Sequence, residues 1–260
     1  MTVLVTVGEL ESLAPVLLDV RWALGDPNGK QHYLDGHIPG AVFVDLESEL
    51  AEPPSATAGR HPLPRLDDLQ ERARRWGIDD GDTVVVYDAT GGLAAARAWW
   101  LLRWGGVADV RILDGGLQAW DKELALGPGR PIRLGDVTLG GGGMPVVGAD
   151  EVAHWDGTLL DARAGERYRG EVEPIDPKVG HIPGAISAPT AENLDSTGHF
   201  KSPELLRQRF ADITGPVAVY CGSGVTAAHE IAALAVAGYE AALYPGSWSQ
   251  WSNDPTRPVA

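Results

Sequence analysis

The chain is written twice. The stretch "LLDVRW" (17–22) returns as "LLDARA" (159–164), "GHIPGAVFV" (36–44) as "GHIPGAISA" (180–188), "VVVYDATGG" (84–92) as "VAVYCGSGV" (217–225), and "LDGGLQAW" (113–120) as "LYPGSWSQW" (243–251). Four matches in one order, spread over 260 residues, mark a duplicated domain. Solenoid repeats have much shorter periods. Each copy, at about 130 residues, is large enough to bury its own core. The copies differ in internal spacing: His37 to Asp88 spans fifty-one residues, whereas His181 to Cys221 spans forty, so material is inserted between shared elements.

Within each copy, short Val-rich runs alternate with helical patterns. "TVVVY" (83–87) and "PVAVY" (216–220) read as buried strands, each followed by a helix, "AAARAWWLLRW" or "TAAHEIAALAVAG". "PRLDDLQERARRWG" and "SPELLRQRFA" add helices ahead of those strands, with Gly77 stopping the first. This alternation specifies an α/β fold of two similar domains, each a mainly parallel sheet flanked by helices. The segment 123–145, rich in Gly and Pro and without apolar periodicity, is expected to link a domain over 1–122 to one over 146–260.

With 21 Lys and Arg against 36 Asp and Glu, the formal charge is −15, which argues against nucleic acid and anionic membranes as partners. An anionic substrate would then need local arginines. No apolar run approaches the roughly 20 residues that span a bilayer, and the start, "MTVLVTVGELESL", has no basic n-region or cleavage pattern. A cytoplasmic protein is expected. The seven histidines lack metal-ligand spacing, so no metal site is expected. Nine tryptophans, among them Trp99, Trp100, Trp120, Trp248 and Trp251, fall in helical patterns and read as core and domain-interface packing. Trp22, near a strand end, is the exception.

Cys221, the one cysteine, stands where a buried strand ends. It can form no internal disulfide, so it is either an inert core residue or a reactive thiol. Gly222, Ser223, Gly224, Val225 and Thr226 follow it and lead into a helix. The glycines let successive N–H groups converge near the sulfur, and the helix N-terminus adds a positive dipole end, which together favour a thiolate. Ligands of parallel sheets bind beyond the carboxyl ends of the strands, where this loop lies. The first copy has Asp88 at the matching position and so lacks the nucleophile. A cysteine phosphatase would need an Arg at the end of the loop to grip phosphate, and Ala227 and Ala228 stand there instead.

The two copies, the "HIPGA" elements and the loop "CGSGVTA" resemble the tandem rhodanese family of sulfurtransferases over nearly the whole chain. The resemblance implies an inactive first half and an active second half. It implies that Cys221 takes a sulfane sulfur from a small anionic donor, holds it as a persulfide, and passes it to cyanide, a small thiol or a thioredoxin-like protein. No cofactor or metal is implied. "CGSGVTA" resembles the 3-mercaptopyruvate branch, whereas thiosulfate enzymes carry basic residues after the Cys.

By the same resemblance Gly222 to Thr226 form the substrate loop and Arg167, in "DARAGERYRG", holds the donor's anionic group. Ser223 would act in a proton relay with His37 and Asp26 of the first half, Asp35 being the rival of Asp26. Because "HIPGA" occurs in both copies, His37 and His181 can also be read as turn residues that fix local structure. A second substrate arginine, usual in the 3-mercaptopyruvate branch, is missing: Ile175 and Asp176 follow "VEP", leaving Arg169 or Lys178 to stand in. Thiosulfate is the alternative donor. A non-catalytic persulfide carrier or redox-sensing partner protein is the alternative outside the enzymes.

Overall fold

A computed structural model describes residues 2–129 and 133–260. The chain forms two compact units. Unit 1 comprises Met1–Glu52, Pro64–Met144 and Ser196–His199; unit 2 comprises Pro53–Leu63, Pro145–Asp195 and Phe200–Ala260. The stretch 53–63, which the repeat arithmetic assigned to the first copy, thus packs with the second.

Unit 1 runs β1 (Leu4–Val5), α1 (Val7–Leu13), β2 (Val16–Asp19), α2 (Gly29–Asp35), β3 (Val42–Phe43), α3 (Leu46–Glu49), α4 (Leu66–Arg75), β4 (Thr83–Tyr87), α5 (Ala95–Gly105) and β5 (Asp109–Leu113). Its sheet has the order β1-β5-β4-β2-β3, all parallel. Unit 2 runs α6 (Ala149–Val152), β6 (Thr158–Asp161), α7 (Gly165–Tyr168), β7 (Ile186–Ser187), α8 (Pro203–Arg209), β8 (Val217–Tyr220), α9 (Thr226–Ala237), β9 (Ala241–Leu243) and α10 (Ser247–Trp251). Its sheet has the order β7-β6-β8-β9, again parallel.

The Val-rich runs are the interior strands. Val84, Val85 and Val86 of β4 and Ala218 and Val219 of β8 are fully buried, as parallel strands covered on both faces require. Each such valine contributes about 1.5 kcal/mol or more by leaving water. Glycines stop the helices: Gly77, Gly106 and Gly238 have φ of +83°, +101° and +93°, and the N–H of Gly77 closes on the Arg74 carbonyl. Ser202 caps α8, accepting from the Leu205 N–H, with Pro203 in the first turn. Trp99 and Trp100 on α5, and Trp248 and Trp251 on α10, are all but completely buried, while Trp120 is partly exposed.

Of the expected linker, residues 130–132 lie outside the described residues, and residues 133–144 lie in unit 1. The N–H groups of Gly135 and Val137 donate to the carbonyls of Arg74 and Ile78 at 2.8 and 3.2 Å, and that of Gly140 to Gly105 at 3.0 Å. Val137 and Leu139 are buried. A Gly-rich stretch without periodicity therefore still packs, because its backbone supplies the hydrogen bonds.

Candidate active site

Cys221 lies at the carboxyl end of β8 and is 1% exposed. The start of α10 holds its backbone: Ser247 Oγ accepts from the Cys221 N–H at 3.1 Å, and the N–H groups of Trp248 and Ser249 donate to the carbonyls of Cys221 and Gly222, each at 2.9 Å. Ser247 takes a left-handed conformation (φ +52°) to do so, a strained backbone for a serine. The loop then turns inward, and the Gly224 N–H donates to Cys221 Sγ at 3.1 Å. Gly224 has φ +81°, and a Cβ there would lie 2.6 Å from the Pro245 carbonyl, so only glycine fits. Val225 precedes α9, whose N-terminus at Thr226 points its dipole toward the same loop.

Two guanidinium groups stand over Gly222. A methyl group at that position would lie 3.0 Å from Arg60 Nη2 and 3.3 Å from Arg167 Nη1. Arg167, on α7, donates to Glu173 Oε1 at 2.7 Å and to Asp176 Oδ2 at 3.2 Å, and Arg60 pairs with the other oxygen of Asp176. Burial opposes ionisation of Glu173, but Arg167 and the N–H groups of Asp176 and Ile175 outweigh it and hold the carboxyl below its usual range. Of the residues expected to stand in for the missing arginine, Arg169 pairs with Glu171 at the surface, and Lys178 Nζ donates to the carbonyls of Asp254 and Arg257. The second guanidinium is that of Arg60.

Ser223 Oγ lies 2.8 Å from His61 Nδ1, both residues being buried. The histidine in contact with the loop serine is therefore His61, where His37 was expected. Within unit 1, Asp26 and His37 each have other partners. His37 stacks on Tyr33 with centroids 3.9 Å apart, its Nδ1 is 2.9 Å from the Tyr33 carbonyl, and its Nε2 is buried without a partner among the described residues. Asp26 instead meets exposed His32 at 2.8 Å, and Asp35 accepts from Gln31. His181 repeats the pattern of His37, stacked on Tyr168 at 3.8 Å with Nδ1 2.9 Å from its carbonyl. The two "HIPGA" histidines thus make the same contacts in both units. Trp22 lines a cavity of about 420 Å³ in unit 1 with Arg21, Asp26 and His32.

Neither Arg60 nor His61 has a counterpart in the second copy, so the duplication does not point to them. The signal was the spacing. Fifty-one residues against forty leaves an excess of eleven, the length of Pro53–Leu63.

The model of the rhodanese-like domain matches residues 6–123 and 149–254. The chain belongs to the rhodanese family. This tandem rhodanese is 49% identical over 274 aligned residues to SseB of Mycobacterium tuberculosis, named provisionally as a thiosulfate sulfurtransferase, covering 99% of this chain and 96% of that one. It is 37% identical to the 3-mercaptopyruvate sulfurtransferase of Escherichia coli K12, over 94% of this chain and 91% of that one. The crystal structure of SseA from Escherichia coli superposes with a TM-score of 0.83 at 34% identity, covering 95% of this chain and 99% of that one. This rhodanese is a sulfurtransferase. Among its described residues no group of three His, Cys, Asp or Glu could hold a metal ion, and no helix is long and apolar enough to cross a membrane.

Proposed function

We propose that the enzyme transfers the sulfur of 3-mercaptopyruvate through a persulfide on Cys221 to a thiophilic acceptor. The observation that carries this reading is the pair of guanidiniums over Gly222, beside the one thiol of a chain whose net charge is −15. Arg60 and Arg167 supply two forks for the donor's carboxylate. The Cys221 thiolate attacks the donor sulfur, the new S–S bond forms, and the C–S bond breaks with its electron pair passing to the pyruvate enolate. The donor's thiol proton ends on the carbon that becomes the methyl group of pyruvate. The Ser223–His61 contact supports a role for that pair in this transfer. The Gly224 N–H and the α9 dipole stabilise the persulfide anion. Cyanide, a small thiol or a thioredoxin-like protein then takes the outer sulfur and restores the thiolate.

Thiosulfate as donor is the second reading, favoured by the likeness to the provisional thiosulfate enzyme of Mycobacterium tuberculosis. With thiosulfate, sulfite leaves and no proton need move. A single reactive thiol suits a reducing compartment, so we place the reaction in the cytoplasm.

Steady-state transfer to cyanide from each donor, in wild type and Cys221→Ser, tests the reading. The expected result is a kcat/KM higher for 3-mercaptopyruvate than for thiosulfate, and no turnover above background in the variant. Higher kcat/KM with thiosulfate would favour the second reading. Loading of Cys221 without turnover from either donor would leave a persulfide carrier.

A further inference from the structure

The two carboxylates beside the guanidiniums of unit 2 are held in different ways. Glu173 is fixed. Its Oε1 accepts from Arg167 and from the N–H groups of Ile175 and Asp176, and its Oε2 from Arg163 and Arg167. Arg163 is itself buried, and although burial disfavours its charge, Asp161 outweighs that and keeps it protonated. Asp176 is attached more simply. Its two oxygens are taken up by Arg60 and Arg167, from an irregular stretch between Pro174 and Pro177. Its side chain is only 2% exposed, although neighbouring Ile175 is 40% exposed.

A carboxylate thus already bridges the two cations that stand over Gly222. The Arg60 Nε is buried with no partner among the described residues, so this fork has a donor in reserve for an incoming anion. The two guanidiniums face two carboxyl groups, so the formal charges of the four side chains balance.

We propose that Asp176 is a built-in competitor, its carboxylate occupying the seat of the donor's anionic group between Arg60 and Arg167 until the donor displaces it. This rests on the site being the sulfurtransferase centre proposed above. Displacement lowers the apparent affinity of every donor by the fraction of time the seat is filled. It also discriminates by charge. A monocarboxylate replaces Asp176 charge for charge, whereas a dianion such as thiosulfate adds a negative charge beside Glu173. Flanking prolines fix φ at 174 and 177, so the release movement falls on Ile175 and the Asp176 side chain.

Calorimetric binding of pyruvate, a carboxylate that carries no transferable sulfur, reads the seat without turnover. Asp176→Asn is expected to tighten pyruvate about fivefold, the size of one partly screened ion pair. It should lower KM for both donors, and more for thiosulfate than for 3-mercaptopyruvate. Arg60→Gln should weaken pyruvate. If Asp176 is instead a strut that aims the two arginines, Asp176→Asn will weaken pyruvate and raise both KM values as Arg60→Gln does, which overturns the proposal. Asp176→Ser removes the same charge with a different side chain, and loss of affinity there overturns it equally should the Asn variant not fold. The underlying functional reading fails separately, by absence of Cys221-dependent transfer in wild type.

Discussion

The same strand-to-helix loop ends differently in the two units. In unit 1 Asp88, buried at the end of β4, turns its carboxylate into its own loop: Oδ1 accepts the N–H groups of Thr90 and Gly92, and Oδ2 those of Ala94 and Ala95, at 2.8 to 3.0 Å. In unit 2 the same place belongs to Cys221, whose sulfur accepts from Gly224. The frames around the two loops match. The hydroxyls of Tyr87 and Tyr220 accept the N–H groups of Ile38 and Ile182 at 3.0 and 3.1 Å, and Arg21–Asp19 and Arg163–Asp161 both pair at 2.7 Å. The loop is an anion cradle by construction. Unit 1 fills it with a carboxylate of its own, and unit 2 offers it to a sulfur.

Removing the internal anion breaks this comparison most severely. Asp88→Ala leaves four loop N–H groups without their acceptor, and about 3 to 5 kcal/mol of stability should be lost at the usual cost of buried unsatisfied donors. Cys221→Ala trades a small buried thiol for a methyl group and should cost about 1 kcal/mol. Denaturant unfolding of the two variants measures the difference. Equal losses would mean that the Asp88 hydrogen bonds stabilise nothing and that the two loops are alike only in outline.

The helices after the loops diverge too. Arg97 on α5 and Glu230 on α9 stand at matching positions, nine residues beyond Asp88 and Cys221, and both are fully buried. Arg97 donates to the Leu50 carbonyl, whereas Glu230 accepts from Asn193 and Arg209. Burial pushes the Glu230 carboxyl up to about 7 from 4.5, with Arg209 and Asn193 offsetting part of it. Between those values the folded chain keeps a proton that the unfolded chain releases. Stability from this group is full below pH 4.5 and falls as pH rises through about 7, by up to roughly 3 kcal/mol. Glu230→Gln should flatten that slope in unfolding free energy against pH, and Arg97→Met should leave it unchanged. An unchanged slope in Glu230→Gln would assign it to another group.

The fold was legible because the duplication restates each element. The Val-rich strands, the Gly77 stop and the helix in "SPELLRQRFA" lie where the pattern puts them. The sulfur loop was legible for the same reason, since its departure from Asp88 isolates Cys221. The repeat drew attention to His37 through "HIPGA", and the structure gives His37 and His181 the same stacking, on Tyr33 and Tyr168. His61 and Arg60 lie in inserted sequence without periodicity, and their partners, Ser223 and Asp176, are more than a hundred residues away. Contacts of that range leave no local trace.

The smallest expected effect separates the loops at their third position, where Thr90 matches Ser223. Thr90 serves Asp88 through its backbone N–H, so Thr90→Ala should leave sulfur transfer unchanged. Ser223 touches His61 through its side chain, so Ser223→Ala tests the proton path proposed for that pair. Only 3-mercaptopyruvate needs that path, because its thiol proton must reach carbon while thiosulfate releases sulfite without one. Ser223→Ala and His61→Asn should therefore lower kcat with 3-mercaptopyruvate about tenfold, a modest factor because water substitutes as proton carrier, and leave thiosulfate within about twofold. Equal losses with both donors would make the pair a support for the loop, and Cys221 would then differ from Asp88 in its sulfur alone.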